Sequence, residues 1–370
     1  MLTRFEVKGF KNFKDNFVLD FTKTNNYNFN KECVKDGIVN KAIIYGPNGV
    51  GKSNLGFAIF NIVAHLTDKE KNQSLYSHFL NAENKNGYAE FSYSFIFDGI
   101  PLTYKYTKRS LEELVFEELK INEKTVVLFD RTKNEEATIK LKGTKTLKKD
   151  LGQEKISVIK YIASNSVLSD NTENTTFKKF YNFIDKMLFF RSLDQNNYIG
   201  YENGNNSIAS EIINRGNLKN FENFLNKVGI KCNLEEIEDG GKKAIAFNIG
   251  GKLIEFYSIA SSGTKALALF YCWYQRFKNK DEVSFIFIDE FDAFYHHELS
   301  EIIVEEIKKI EGQTILTTHN TSIMSNDLLR PDCYLIMSEK DIKPVTELTN
   351  KDLRLAHNLE KMYKAGAFSG

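Results

Sequence analysis

The stretch Gly46-Pro47-Asn48-Gly49-Val50-Gly51-Lys52-Ser53 constrains this chain more than any other. It fits G-x-x-x-x-G-K-[ST], and its context matters as much as its letters. Lys41-Ala42-Ile43-Ile44-Tyr45 before it reads as a short buried strand, and a helix is expected from about Lys52 to Leu66. At ordinary glycine usage a chance match in a chain this long is roughly a one-in-a-hundred event, and the strand–turn–helix setting lowers the odds of a bare turn further. The chemistry needs these residue types. Glycines let backbone N–H groups converge on phosphate oxygens, and the helix N-terminus adds positive potential. Lys52 would reach the β- and γ-phosphates and the Ser53 hydroxyl would ligate Mg²⁺, with Asn54 next to them on the first helical turn. The expected ligands are ATP and Mg²⁺.

Three further segments carry polar residues where such a site would need them. Val283-Ser284-Phe285-Ile286-Phe287-Ile288-Asp289-Glu290 reads as a buried strand closing on two carboxylates. At the C-terminal end of a parallel strand these would face the phosphate crevice. Asp289 is then expected to hold Mg²⁺ through water, and Glu290 to orient or deprotonate the attacking water. Thr314-Ile315-Leu316-Thr317-Thr318-His319-Asn320 is a second such strand, with His319 placed to sense the γ-phosphate. Ser261-Ser262-Gly263-Thr264 opens a helix carrying Leu267, Leu269 and Phe270, which offers a second anion site. Taken by itself that turn is better read as an ordinary N-cap.

Composition bounds the rest. The 370 residues are 42% apolar and 27% charged, with 50 Lys+Arg against 49 Asp+Glu. One large or two smaller domains are expected. The charge balance gives no general electrostatic reason to coat DNA or an anionic membrane, leaving only a local basic patch for nucleic acid. No apolar run is long enough to span a bilayer. Cys33, Cys232, Cys272 and Cys333 lie far apart without Cys-x-x-Cys, so zinc and disulfide frameworks are not expected and a reducing cytoplasm is.

Along the chain, two strands are expected in the first 22 residues and a loop over Thr22–Asn40. An antiparallel meander is expected over 88–130, where Phe91, Tyr93, Phe95 and Phe97 alternate with polar residues. A Lys-rich loop follows at 131–150, then helices over Thr176–Phe190 and Ile208–Val228 and a hairpin around Gly240-Gly241 and Gly250-Gly251. After Ser262 helices and strands alternate, fitting a parallel sheet with helical crossovers. The expected division is an N-terminal lobe at 1–87, a β subdomain at 88–150, a helical and β insertion at 151–255, and a C-terminal lobe at 256–370. Lys105, Lys108 and Arg109, and Lys140 to Lys149, are local basic runs, better read as solvated sheet edges than as phosphate contacts. Leu355, Leu359 and Met362 share a helical face that either packs on the sheet or docks a partner.

The order of these motifs resembles the ABC/SMC-type ATPase heads, and the opening Gly9-Phe10-Lys11-Asn12-Phe13 is similar to the strand-turn before the phosphate loop of RecF-like heads. Asp289-Glu290-Phe291-Asp292-Ala293-Phe294-Tyr295-His296, Thr317-Thr318-His319-Asn320 and the basic tail Leu359 to Gly366 are similar to the bacterial abortive-infection and overcoming-lysogenisation-defect ATPases of phage defence. The resemblance implies an α/β P-loop ATPase head with a parallel core sheet, an antiparallel β subdomain and a compact helical insertion. It implies that Ser261 and Gly263 match the signature turn that reaches the γ-phosphate of a second subunit, that Asp292 matches the D-loop aspartate at that seam, and that His319 is the switch histidine. The turn reads Ser-Ser-Gly-Thr where the family has Leu-Ser-Gly-Gly-Gln, and Gln153 is a Q-loop candidate by position only. No sustained heptads, Cys-x-x-Cys hook or TOPRIM-like nuclease region is present. A homodimer or higher homo-oligomer of heads with a separately encoded effector is therefore expected, with a RecF-like DNA-repair ATPase as the alternative. A non-hydrolysing scaffold and a transporter ATPase fit less well.

Overall fold

The computed structural model describes residues 1–67, 69, 76–133, 136–152, 155–191, 197–200, 208–278, 282–293 and 297–368. Gln153 and the Phe294–His296 end of the acidic motif lie outside the described residues. From the N-terminus, β1 (Leu2–Lys8) and β2 (Phe17–Asp20) form a hairpin, and a short ribbon of β3 (Val34–Lys35) and β4 (Ile38–Val39) leads to β5 (Lys41–Tyr45) and helix α1 (Lys52–Leu66). The meander follows as β6 (Ala89–Phe97), β7 (Ile100–Lys108), β8 (Leu114–Ile121) and β9 (Lys124–Asp130), with β10 (Thr138–Ile139) at its end. Next come α2 (Val158–Asn165), α3 (Thr172–Asp185), β11 (Met187–Arg191), β12 (Asn197–Gly200), α4 (Ile208–Asn214) and α5 (Leu218–Lys227). The remainder is β13 (Leu234–Asp239), β14 (Lys242–Ile249), β15 (Lys252–Glu255), α6 (Phe256–Ile259), α7 (Ser262–Phe277), β16 (Phe285–Asp289), α8 (His297–Lys308), β17 (Gln313–Thr318), β18 (Tyr334–Met337), β19 (Ile342–Pro344) and α9 (Leu359–Lys364).

Two seven-stranded sheets dominate. One is antiparallel in the order β10-β9-β8-β7-β6-β1-β2, so the first hairpin and the meander share a sheet. The other runs β12-β11-β16-β17-β5-β18-β19, with the five inner strands parallel and an antiparallel strand at each edge. The three central strands β16, β17 and β5 are buried along their whole length because both faces are covered, and the polar residues among them, such as Lys41 and Gln313, are buried too. This is the α/β arrangement expected, with the parallel sheet as core.

Helix α1 lies between the sheets, which explains why its sequence is apolar all round. One side meets the parallel sheet: Phe57 and Phe60 pack on Phe189, and Phe60 also meets Phe285. Gly56 is required there, since a Cβ would stand 2.6 Å from the Phe189 ring. The other side meets the antiparallel sheet through polar contacts. Tyr93 donates to the carbonyls of Ala58 and Ile59, Tyr106 donates to Asn61 Oδ1 (3.0 Å), and His65 Nε2 lies 2.7 Å from the Tyr104 hydroxyl. The sheets are also stitched directly. The buried Gln313 amide exchanges hydrogen bonds with the backbone of Leu2 and donates to Val39 O.

Several expectations need correction. The helix expected to run to Phe190 stops as α3 at Asp185, and Met187-Leu188-Phe189-Phe190 form β11 beside β16. The expected helix over Ile208–Val228 is two, α4 and α5, with Gly216 between them at φ 68°. The hairpin near Gly240 is a three-stranded sheet, and the loop at 22–40 contains the β3–β4 ribbon. The C-terminal helix begins only at Leu359, which is buried, while Leu355 precedes it and is exposed.

Lys108 is not part of a basic surface: it is 2% exposed, and its Nζ donates to Leu111 O. Burial pulls its pKa down to about 7. Folded protein therefore binds fewer protons at this site than unfolded chain between about pH 7 and the lysine's ordinary value, and the site's contribution to stability rises with pH across that window. In urea unfolding, the stability of wild type relative to Lys108→Met should climb from about pH 7 to about pH 10. A difference that stays flat over that range would show that Lys108 is not desolvated.

Candidate functional site at the strand ends of the parallel sheet

The sheet order decides the geometry. β17 lies between β5 and β16, all three run parallel, and so the loop after β5, the end of β16 and the end of β17 emerge side by side. The glycine-rich loop leaves β5 with Pro47, Asn48 and Gly49 exposed at its tip and Val50 buried below. Gly49 and Gly51 take positive φ of 78° and 109°. At Gly51 a Cβ would also stand 2.2 Å from Asn12 Nδ2, so both conformation and space demand glycine. Asn12, in the turn between β1 and β2, braces the loop: its Nδ2 donates to Val50 O (3.2 Å) and its Oδ1 accepts from Asn54 Nδ2 (2.8 Å). Gly46 lies against Met337 O, which a Cβ would meet at 2.8 Å.

Ser53 and Asp289 are in direct contact. The Ser53 hydroxyl donates to Asp289 Oδ2 at 2.5 Å, and Thr317 Oγ1 donates to Asp289 Oδ1 at 2.7 Å. Thr317 Oγ1 also accepts from the backbone N–H of Glu290 (2.8 Å), so one hydroxyl fixes both neighbouring acids. Asp289 is buried, and burial pushes its pKa up despite the two hydroxyl donors and the nearby Lys52 charge. A buried carboxylate beside a serine hydroxyl is an all-oxygen donor set suited to a hard cation such as Mg²⁺.

Glu290 takes φ 45°, a left-handed conformation that is rare outside glycine. Such a backbone costs on the order of 1–3 kcal/mol and persists where surrounding contacts fix it. Here the Thr317 bonds to Glu290 N and, one residue on, Phe291 N to Thr317 O (3.2 Å) do so. The turn carries the Glu290 side chain to His319, with Oε1 3.1 Å from Nε2.

Lys52 is buried, and desolvation draws its pKa down against the pull of Glu290 and Asp289. Its ammonium donates to Gly46 O (3.0 Å) and Pro47 O (3.2 Å) and lies 3.0 Å from His319 Nε2. That nitrogen therefore faces a donor-only ammonium and an acceptor-only carboxylate, and it can satisfy just one of them at a time.

The remaining sequence candidates are placed as follows. Asp292 is half-buried, and Oδ1 accepts from Thr318 Oγ1 at 2.7 Å; burial raises its pKa. Ser261 is the exposed residue before α7, where its Oγ accepts from Thr264 N (3.2 Å) as an N-cap. Among the described residues neither Ser261 nor half-buried Gly263 hydrogen-bonds the Gly46–Ser53 loop. Thr317 and Asn12 are the residues of the site that sequence does not single out. Thr317 stands in the Thr-Thr-His run, where nothing local shows that its hydroxyl meets both acids. Arg191, one residue beyond the expected helix, is aligned with Asp289 across the β11–β16 pair and stacks over Phe57 (4.8 Å).

Residues 41–325 match the family model described as an AAA domain, putative AbiEii toxin, type IV TA system. No curated protein matches the sequence. Solved structures with a similar fold include the Smc head domain with a coiled coil and joint from Pyrococcus yayanosii, at 13% identity and TM-score 0.49, covering 98% of this chain and 99% of that one. They also include the SMC head domain from Thermotoga maritima, at 16% identity and TM-score 0.46, covering 93% and 98% respectively. The recombination mediator RecF with bound ATP matches at 13% identity and TM-score 0.41, covering 93% of this chain and 99% of that one. The family match spans the glycine-rich loop, both carboxylates and His319, and the chain belongs to this AAA-domain family.

Proposed function

We propose that the protein binds and hydrolyses ATP with Mg²⁺ between the Gly46–Ser53 loop, Asp289 and Glu290, and that the ATP-loaded form pairs with a second copy. The observation that carries this reading is the contact of Ser53 with Asp289, which joins the phosphate loop to the carboxylate strand at one point. Gly46, Pro47, Asn48, Gly49, Val50, Gly51 and Lys52 would hold the phosphates, with Asn54 beside them. Ser53 and Asp289 would hold Mg²⁺, which neutralises phosphate charge when bound. Glu290 would orient the attacking water and accept its proton.

His319 gives the site a way to register phosphate. With Lys52 turned onto its own loop, the ammonium competes with Glu290 for His319 Nε2. Phosphate drawing Lys52 away would leave Nε2–H to Glu290 alone, fixing the carboxylate. Ser261, Gly263 and Asp292 would act at the seam between copies; the exposure of Ser261 is compatible with a partner reaching it.

The wider role we assign is a cytoplasmic sensor or regulatory subunit in bacterial anti-phage, abortive-infection defence, working through a separately encoded effector. The family's description as a putative AbiEii toxin of a type IV system supports that setting. Among the described residues no helix is long and apolar enough to cross a membrane. The RecF-like reading has less behind it, because burial removes Lys108 from the basic run that would have met DNA.

Lys52→Ala should weaken ATP binding roughly 10–100-fold, the worth of a lost charge-assisted contact, measured by titration calorimetry; unchanged affinity would refute the phosphate site. Glu290→Gln should keep that affinity while hydrolysis falls about 10²–10⁴-fold, and light scattering should find it dimeric with Mg²⁺ and ATP. Normal turnover would exclude Glu290 as the water's partner, and a monomer would exclude the pairing. If deletion of the gene leaves phage sensitivity unchanged and no neighbouring gene product copurifies, the defence role falls.

A further inference from the structure

Arg191 closes β11 at the level where Asp289 closes β16, and the two are register partners on neighbouring parallel strands. Strands so paired lie about 4.8 Å apart. Alternation along a strand tells which way both side chains point. Two residues earlier, the Phe189 and Phe287 rings meet at 5.4 Å on the face that α1 covers, and a Cβ on Gly56 would stand 2.6 Å from one and 3.0 Å from the other. Arg191 and Asp289 therefore face α1 as well. Asp289 reaches Ser53 in its first turn (2.5 Å), and the Arg191 guanidinium stacks over Phe57 (4.8 Å). Ser53 and Phe57 are four residues apart on one side of the helix, a separation of one turn or about 5.4 Å. The guanidinium thus lies one turn from the Ser53–Asp289 contact. It does so on the flank away from His319, because β16 stands between β11 and β17.

A second cation is held at the same ring. Lys11 Nζ lies 5.4 Å from the centre of Phe57 and 5.8 Å from that of Phe10, and it donates to Ser77 O (3.3 Å). Lys11 takes a left-handed φ of 46°, and the next residue, Asn12, braces the glycine-rich loop through Val50 O and Asn54. The place of the ammonium is therefore tied to that of the loop. Burial and the Arg191 charge both draw the Lys11 pKa down. Attraction of a cation to an aromatic face is modest, and two like charges at one ring offset part of it. A residue whose task was only to cover Phe57 would need no neighbour of its own charge. An anion within reach of either one would relieve the repulsion.

We propose that Arg191 is a further ligand of the γ-phosphate: when nucleotide binds, its guanidinium swings one turn along α1, from the Phe57 ring to the phosphate held over Ser53 and Asp289. The inference rests on the ATP-site reading above and adds a residue to it. Lys52 approaches from the side of β5 and β17, where it contacts Gly46 O and His319. Arg191 would approach from the side of β11, so that the two cations bracket the phosphate. A guanidinium presents paired donors that fit two oxygens of one phosphate, which an ammonium does not. Lys11 keeps its carbonyl, and its repulsion favours the departure of Arg191. During hydrolysis the charge spread over the γ-phosphate oxygens would then be met by an arginine of the same chain.

The test compares the full-length wild type with Arg191→Met, which keeps an unbranched apolar stem on Phe57. Calorimetry with ADP and with the non-hydrolysable analogue AMP-PNP isolates the γ-phosphate as the ratio of the two affinities. ADP affinity should stay within about twofold of wild type, while the preference for AMP-PNP falls about tenfold or more, the worth of a lost charge-assisted contact. Turnover should fall at least about 100-fold, and in Arg191→Ala added guanidinium ion should recover part of it. An undiminished preference for AMP-PNP in Arg191→Met overturns the proposal and leaves the ATP site standing. Equal losses of ADP and AMP-PNP affinity also overturn it, since a mere prop under α1 would produce them. Wild type that binds both nucleotides alike has no γ-phosphate ligand to lose, which again overturns it. If wild type binds neither nucleotide, the ATP-site reading itself fails and Arg191 falls with it.

Discussion

One hydrogen bond, Ser53 to Asp289, summarises what the parallel sheet is for. Its partners are 236 residues apart in sequence, and they meet because β17 sits between β5 and β16 with all three strands pointing the same way. Reverse any one strand and its polar end moves to the far side of the molecule. The same constraint places Thr317 between the two acids and His319 within reach of both Lys52 and Glu290. The site is thus a consequence of topology first and of side-chain choice second.

Rigidity comes from α1 and what clamps it. Aromatic rings from β11 and β16 press on one side, with Gly56 letting Phe189 approach, and tyrosine hydroxyls from the antiparallel sheet hold the other. Buried hydroxyl and amide contacts of this kind specify one seating, because each would leave an unpaired polar atom if the helix slid or turned. One left-handed residue stands next to this frame. Glu290 holds a left-handed backbone, and the Thr317 hydroxyl that helps to secure it also stands beside Asp289 as a donor. Loss of that hydroxyl would therefore loosen both acids together.

Much of this was legible beforehand, for physical reasons that differ by element. β5, α1, β16 and β17 announce themselves because an apolar run ends abruptly in residues whose chemistry has one common use. The meander is legible from period-two alternation, since one face of each strand is buried and the other is not. β11 was not, because the polar pair Asp185-Lys186 that separates Met187 to Phe190 from α3 is no longer than the polar face of one helical turn, and periodicity cannot separate a buried strand from a buried helix turn. Lys108 looked like a surface charge because composition carries no information on the Glu117 and Leu111 environment that buries it. Asn12 and Thr317 were on view, yet their roles depend on neighbours distant in sequence. Ser261 is read from structure only as an N-cap; a role beyond that one requires a second molecule.

The account stands on Ser53 and Asp289 exchanging their mutual hydrogen bond for a shared metal when nucleotide arrives. A crystal structure with Mn²⁺ and a non-hydrolysable ATP analogue, located by anomalous scattering, tests this directly. The account predicts a metal peak between Ser53 Oγ and the Asp289 carboxylate, with Lys52 moved off the Gly46 carbonyl onto phosphate. A metal peak elsewhere, or bound nucleotide with Ser53 still donating to Asp289 and Lys52 still on Gly46, would contradict it.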